Sequence, residues 1–248
     1  EPQMTGIGGD CFILFSPAGS HKLKAMNGSG KAPAGLNADM LREKGHEKMP
    51  RRTTETVTVP GAIDAFCKLS DDWGKLGLDA LLAPSIHYAT KGVPIAPRVS
   101  YDWTRNLNRL QGAAQQYYSF GGNAPKVGDI FYAPGQAEVL SEIVKKGRDG
   151  FYSGAVAEDM VSSLRALGGT HSHEDFLEQR AFYTDPISGT YKDTDLIEHP
   201  PNGSGATAIL MLNILSQFDI AHLDPFGTAR AHVEAEATKL AYDARNTI

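Results

Sequence analysis

The sequence predicts an α+β fold rich in helix, and three features point to it. A glycine cluster, Gly6-Ile7-Gly8-Gly9, runs straight into the apolar stretch Cys11–Phe15, which is too short for a helix and suits a strand covered on both faces. Lys22-Leu23-Lys24-Ala25-Met26 alternates polar and apolar residues, the period of a half-buried partner strand. From Pro60 onward, apolar residues recur at helical spacing over several separate segments.

The elements follow in order. Ser16-Pro17-Ala18-Gly19-Ser20 is a turn between the two strands. Asn27-Gly28-Ser29-Gly30-Lys31-Ala32-Pro33 breaks the pattern as a tight glycine-rich loop. Residues 37–56, polar with mixed charge, suit a short helix and a surface loop. Ala62, Ala65, Phe66 and Leu69 mark a helix that starts at Pro60-Gly61. A second helix through Leu81, Ile86 and Ala89 ends at Gly92, with Pro94 just beyond. The stretch 98–135 is rich in Gln, Asn, Tyr and Gly and is expected to be irregular. Helices follow over Gln136–Lys146, with Ala137, Leu140, Ile143 and Val144 on one face, and over Gly154–Leu167, closed by Gly168-Gly169. Ser172 with Asp175 three residues on marks a capped short helix. Tyr191–His199 suits a strand, Ala206–Phe218 a buried helix, and Thr228–Arg245 a long amphipathic one.

The 248 residues can bury a sizeable core, and residues 1–248 are taken as a single domain portion. A net charge of −5 leaves no basic footprint for nucleic acid. No apolar stretch approaches the roughly 20 residues needed to cross a bilayer, so neither nucleic acid nor membrane is an expected partner. Cys11 and Cys67 are too few for a disulfide framework and are expected to be inert core thiols. There is no initiator Met and no signal-peptide pattern, and chains rarely open on a buried strand. The sequence is therefore expected to be a piece of a longer precursor, which leaves its compartment open.

Each candidate site has a plainer competitor. His171-Ser172-His173-Glu174-Asp175 offers two imidazoles without a third nearby ligand, so a helix cap with solvated charges is preferred to a metal site. Gly28-Ser29-Gly30 lacks the third glycine and the following helix of a dinucleotide fingerprint. A loop presenting backbone N–H groups and a hydroxyl to a ligand stands against a simple turn. Pro200-Pro201-Asn202-Gly203-Ser204-Gly205 precedes a helix, where capping by Ser204 competes with a ligand-facing role. Asp71-Asp72 reads as a solvated helix face. No Ser/His/Asp or Cys/His arrangement can be assembled.

Taken together and in order, several short motifs resemble the large subunit of the gamma-glutamyltransferase family of N-terminal nucleophile hydrolases. They are Gly6-Ile7-Gly8-Gly9, Ala32-Pro33-Ala34, Val59-Pro60-Gly61-Ala62, Trp73-Gly74-Lys75-Leu76 and Phe151-Tyr152-Ser153-Gly154. Gly168-Gly169, Glu174-Asp175-Phe176, Pro186–Tyr191, His199–Gly205, Leu212–Leu215 and Glu236–Tyr242 complete the series. The resemblance implies a four-layer αββα sandwich built jointly with a small subunit from the same precursor. It also implies self-cleavage before a Thr that becomes the nucleophile with its own amine as base, and no metal or organic cofactor. Thr247 does not match that nucleophile, so no catalytic residue is expected in this chain. The family's helical segment ahead of the first motif is also expected to precede residue 1.

One departure bears on substrate. Family members acting on gamma-glutamyl groups carry an arginine shortly before Ala-Pro-Ala, where it pairs with the substrate's α-carboxylate. Aligned on Ala32-Pro33-Ala34, that position is Ser29, which offers one neutral hydrogen bond in place of a bidentate charged clamp. Ser29, Gly30 and Lys31 are the expected substrate-binding residues, Lys31 serving as a point-charge substitute if the substrate is gamma-glutamyl. The expected activity is that of a gamma-glutamyltransferase-like amide hydrolase or transferase. A related amidase, like the oxamate amidohydrolase and cephalosporin acylase branches, is the alternative, and a non-catalytic scaffold with the same fold a further one.

Overall fold

The computed structural model describes residues 4–247. Strands β1 (Cys11–Phe15) and β2 (Lys24–Gly28) come first, then helices α1 (Ala38–Glu43), α2 (Ala62–Trp73) and α3 (Leu78–Lys91). Next are β3 (Val93–Pro94), α4 (Pro97–Asn106), α5 (Ala113–Tyr117), β4 (Ile130–Phe131), α6 (Pro134–Lys146), α7 (Asp149–Tyr152), α8 (Gly154–Ala166) and α9 (His173–Glu178). The chain closes with β5 (Phe182–Thr184), β6 (Ile187–Tyr191), β7 (Thr194–Glu198), α10 (Gly205–Leu215) and α11 (Thr228–Arg245). Residues divide into two compact units.

The first unit comprises residues 29–181 with the described part of the first ten. Its core joins Val59, Ile63 and Cys67 of the α2 region to Leu140 and Ile143 of α6, Phe151 and Tyr152 of α7, Ala157 and Val161 of α8, and Phe176 of α9. The α6 stripe follows helical spacing as expected, with Ala137, Leu140 and Ile143 buried. Gly92, at φ 86°, ends α3, and Gly168, at φ 89°, follows α8. A second cluster forms around Trp103, with Ile95, Val99 and Phe131 buried beside it. Trp103 meets Phe131 edge to face at 5.2 Å and donates its indole N–H to the Tyr118 carbonyl at 2.8 Å.

The second unit comprises Cys11–Gly28 and the chain from Phe182. It holds an antiparallel sheet in the order β1-β2-β5, pairing Cys11 with Gly28 through Phe15 with Lys24. A β6–β7 hairpin pairs Ile187 with Glu198 through Tyr191 with Thr194, and Lys192 turns it at φ 57°. Helix α10 lies against β6 at Gly189, where a Cβ would sit 2.5 Å from the Ile209 side chain.

Several expectations need correction. Strand β1 is not covered on both faces: Phe12 and Leu14 are 41% and 37% exposed, because β1 is an edge strand with one open face. Strand β2 is central rather than half-buried, with Ala25 through Gly28 all buried. In α2 the buried positions are Ala62, Ile63, Asp64, Ala65 and Cys67, while Phe66 lies exposed. The stretch 98–135 is not irregular throughout: Pro97 starts the ten-residue helix α4, whose apolar side is only Val99 and Trp103. Residues 191–199 are the second half of a hairpin whose first strand, Ile187–Tyr191, carries Ser, Gly and Thr and so lacks an apolar signal. Helix α10 is half-exposed, with only Gly205 and Thr207 buried. No helix among the described residues is long and apolar enough to cross a membrane.

Candidate functional site

The glycine cluster at residues 6–9 meets the start of α2 through its last carbonyl. The Gly9 carbonyl accepts the N–H groups of Gly61 and Ala62, both at 3.0 Å. It thereby caps the start of α2, where no side chain does so. The next residue, Asp10, reaches the loop that was expected to bind substrate. One carboxylate oxygen accepts the Gly30 N–H at 2.9 Å, and the other accepts the Ser29 hydroxyl at 3.1 Å.

Gln179 holds the same loop from another side. Its side chain is buried; its amide nitrogen donates to the Ser29 carbonyl at 3.2 Å, and its amide oxygen accepts the Lys31 N–H at 3.3 Å. The Lys31 carbonyl accepts the Val59 N–H at 2.9 Å. At Gly30 a Cβ would lie 1.5 Å from the Val59 carbonyl oxygen. Only glycine fits, because two backbones meet there. Ser29 and Gly30 are half-buried and Lys31 is exposed. The three expected residues thus form one segment whose main chain is fixed on both sides.

Gln179 is itself held by a buried ionic group. Arg148 donates to the Asp64 carboxylate through Nε, and through one terminal nitrogen to the carbonyls of Phe176, Leu177 and Gln179 at 3.3, 3.0 and 2.7 Å. The second Asp64 oxygen accepts the Ala181 N–H at 2.6 Å. The Arg148 guanidinium lies over the Tyr152 ring at 4.5 Å. The Tyr152 hydroxyl donates to the Pro60 carbonyl at 2.6 Å and accepts the Asp64 N–H at 3.1 Å. Burial pushes the Tyr152 phenol well above its ordinary pKa.

The motif around residue 171 is structural. Ser172 and Asp175 form a reciprocal capping box on α9, and Asp175 also accepts the Ala34 N–H at 2.8 Å. Burial works against the Asp175 carboxylate. The N–H of Ala34 and the N–H and hydroxyl of Ser172 outweigh it and hold the pKa below its ordinary value. His171, fully buried, places Nε2 2.8 Å from the Val57 carbonyl, while its Nδ1 has no partner among the described residues. No group of three metal-ligating side chains occurs among the described residues.

In the second unit, His199 does not approach a hydroxyl. Its ring nitrogens face the carbonyls of Met26 and Pro200 at 3.1 and 2.8 Å, and its ring meets Phe12 edge to face at 5.1 Å. Asn27 donates its side-chain amide to the Asn202 side-chain oxygen at 3.1 Å. Ser204 stands at the N-cap of α10 but its side chain makes no capping bond, so the capping expected of it is not found. The neighbouring constraint is instead at Gly205, where a Cβ would meet the His199 carbonyl oxygen at 2.5 Å.

Neither cysteine is an activated nucleophile. Burial raises the Cys67 thiol to about 11 and raises Cys11 as well. Clefts of about 1050 and 630 Å³ lie in the first unit, both bordered by Gly6, Ile7 and Pro134, and neither includes Ser29, Gly30 or Lys31. The sequence reading missed Asp10, Asp64, Arg148 and Gln179. Tyr152 lay inside a recognised motif without an assigned role.

The gamma-glutamyltranspeptidase family model matches residues 1–248. The "Glutathione hydrolase-like YwrD proenzyme" of Bacillus subtilis is 31% identical over 250 residues, covering 100% of this chain and 47% of that protein. The "Acylase ACY 1 proenzyme" of Pseudomonas sp. (strain SE83) is 30% identical over 98% of this chain and 45% of its own length. The chain therefore spans about half the length of these curated relatives. Among solved structures, the Helicobacter pylori gamma-glutamyltranspeptidase superposes with a TM-score of 0.90 at 26% identity, over 99% of this chain and 72% of that one. The cephalosporin acylase from Bacillus halodurans gives a TM-score of 0.89 at 34% identity, over 98% of this chain and 46% of that one. The expected fold class, helix-rich α+β of the N-terminal nucleophile hydrolase type, is borne out.

Proposed function

The chain belongs to the gamma-glutamyltranspeptidase family, and on that premise we propose that it is the large, non-nucleophilic portion of an autoprocessed amide hydrolase. The observation that carries this reading is the whole-length family match, with several motifs of the first unit joined by hydrogen bonds near one loop. Gly9, Val59, Pro60, Tyr152 and Asp175 are all hydrogen-bonded within the network that fixes residues 29–34.

The bond-breaking step falls to a downstream Thr that self-cleavage frees at the start of a small subunit. Its hydroxyl, deprotonated by its own amine, attacks the substrate carbonyl; the amine component leaves, and water or an acceptor amine resolves the acyl-enzyme. Ser29, Gly30 and Lys31 of this chain shape the acyl pocket, and a loop that is already rigid lowers the ordering cost of orienting the acyl group. Relatives that carry the names glutathione hydrolase and acylase both match this chain. Ser29 in place of a guanidinium favours an acylase-type substrate over glutathione.

The test is chromogenic: the product of the complete gene is assayed on a series of acyl p-nitroanilides, gamma-glutamyl included. The expected result is nitroaniline release that is lost when the downstream Thr is replaced by Ala. A processed protein inert on the whole series, gamma-glutamyl included, overturns the reading.

A further inference from the structure

Four donors on the proposed pocket loop are already engaged by the protein's own acceptors. Asp10 takes the Ser29 hydroxyl and the Gly30 N–H, Gln179 takes the Lys31 N–H, and Asp175 takes the Ala34 N–H. Pro33 has no N–H to offer. Hydroxyl and amide groups of this kind are the ones with which a loop grips a substrate carboxylate. Here a carboxylate is built in, and it brings a negative charge to the rim.

We propose that Asp10 is a specificity-determining residue that occupies the Ser29–Gly30 donors as an internal carboxylate and so selects acyl groups with no carboxylate at the end that meets this loop. The inference rests on the reading of residues 29–31 as the acyl pocket. A substrate carboxylate arriving at Ser29 would have to displace Asp10 from two hydrogen bonds and lie within a few ångströms of it. Arginine introduced at position 29 would find Asp10 as a ready partner and offer the substrate a neutralised clamp. Lys31, exposed on the same segment, is the one cationic residue of the loop. A lysine is a point charge, and it does not free the donors that Asp10 holds.

Asp10→Asn separates charge from shape. The asparagine oxygen still accepts the Gly30 N–H, and its amide can donate to the Ser29 oxygen in reversed sense, so the loop stays tied while the charge is gone. The complete processed enzyme and its Asp10→Asn variant are compared on glutaryl p-nitroanilide and its terminal-carboxamide counterpart, which match in shape and differ in that charge. The wild type is expected to prefer the carboxamide. Asp10→Asn is expected to raise kcat/KM for the glutaryl substrate by roughly fivefold or more, the effect of one unit charge at about 4 Å in water, chiefly through KM. The readout is the ratio between the two substrates, since a merely structural role would slow both alike.

A wild type that prefers the glutaryl substrate and loses that preference in Lys31→Met overturns the inference, as does an unchanged substrate ratio in an active Asp10→Asn enzyme. Inactivity of the wild type on these and on gamma-glutamyl p-nitroanilide overturns the pocket reading, and the inference with it.

Discussion

Removing Arg148 breaks the ion pair beneath the loop and its bonds to three carbonyls. Replacing it with Met leaves the Asp64 carboxylate, only 5% exposed, with a single remaining backbone donor. It also strips one donor nitrogen from the carbonyls of Phe176, Leu177 and Gln179. Breaking a buried pair from one side typically costs about 3–5 kcal/mol. The methionine stem retains part of the packing over Tyr152, so a loss of about 4 kcal/mol is expected. In urea unfolding of the complete processed protein, with a slope of roughly 2–3 kcal/mol/M, the midpoint should fall by roughly 1.3–2 M. The double variant with Asp64→Asn removes the orphaned charge too, so the two losses should fall short of additivity by about 1–3 kcal/mol. Arg42→Met, at an ion pair whose side chains are 71% and 83% exposed, serves as the control and should leave the midpoint in place. An Arg148→Met midpoint indistinguishable from wild type, or strictly additive losses, would refute the assignment of Asp64–Arg148 as the tie beneath the loop.

Three further outcomes are expected. Gly30→Ala places a methyl on the Val59 carbonyl, so the two backbones must part; stability should drop by about 1–3 kcal/mol in a thermal melt, with kcat/KM reduced for all acyl groups alike. The Asp175 carboxylate has a folded pKa below its unfolded value, so its contribution is present above pH 3.8 and is lost as pH falls through the folded pKa. Asp175→Asn should therefore be less stable near neutrality and show a flatter stability profile below about pH 4, checked by denaturant titrations across that range. Cys67 moves the other way: its pKa rises from 9.0 unfolded to about 11 folded, so its contribution is complete below pH 9 and is lost as pH rises toward 11. Cys67→Ala should flatten the alkaline limb, and the wild-type thiol should resist a thiol-exchange reagent at pH 8 until the protein is unfolded.

Local signals were legible and distant ones were not. The glycines ending α3 and α8, the Ser172–Asp175 capping box and the Ala137-Leu140-Ile143 stripe each rest on spacings of four residues or fewer, and each stands where the sequence predicts. Helix α4 was hidden because its buried side consists of two residues. Strand β6 was hidden because its three middle residues, Ser188, Gly189 and Thr190, are small or polar. The exposure of β1 and α10 depends on what lies against them, which no property of their own residues encodes. At the candidate site, the loop 29–31 could be found from its glycines, whereas its supports could not. Asp64 looks like any charged helix residue until Arg148 meets it from 84 positions away. Gln179 is an ordinary amide that becomes a clamp only because the chain returns to residue 30. Asp10 followed a recognised glycine motif and carried no signal of its own.

Whether this chain is one portion of a self-cleaving amide hydrolase is decided by the intact mass and N-terminal sequence of the product of the complete gene. Two chains are expected, the one downstream of this portion beginning with Thr, and a single chain when that Thr is replaced by Ala. A wild-type product that persists as one uncleaved chain would contradict that reading and leave a non-catalytic scaffold with the same fold.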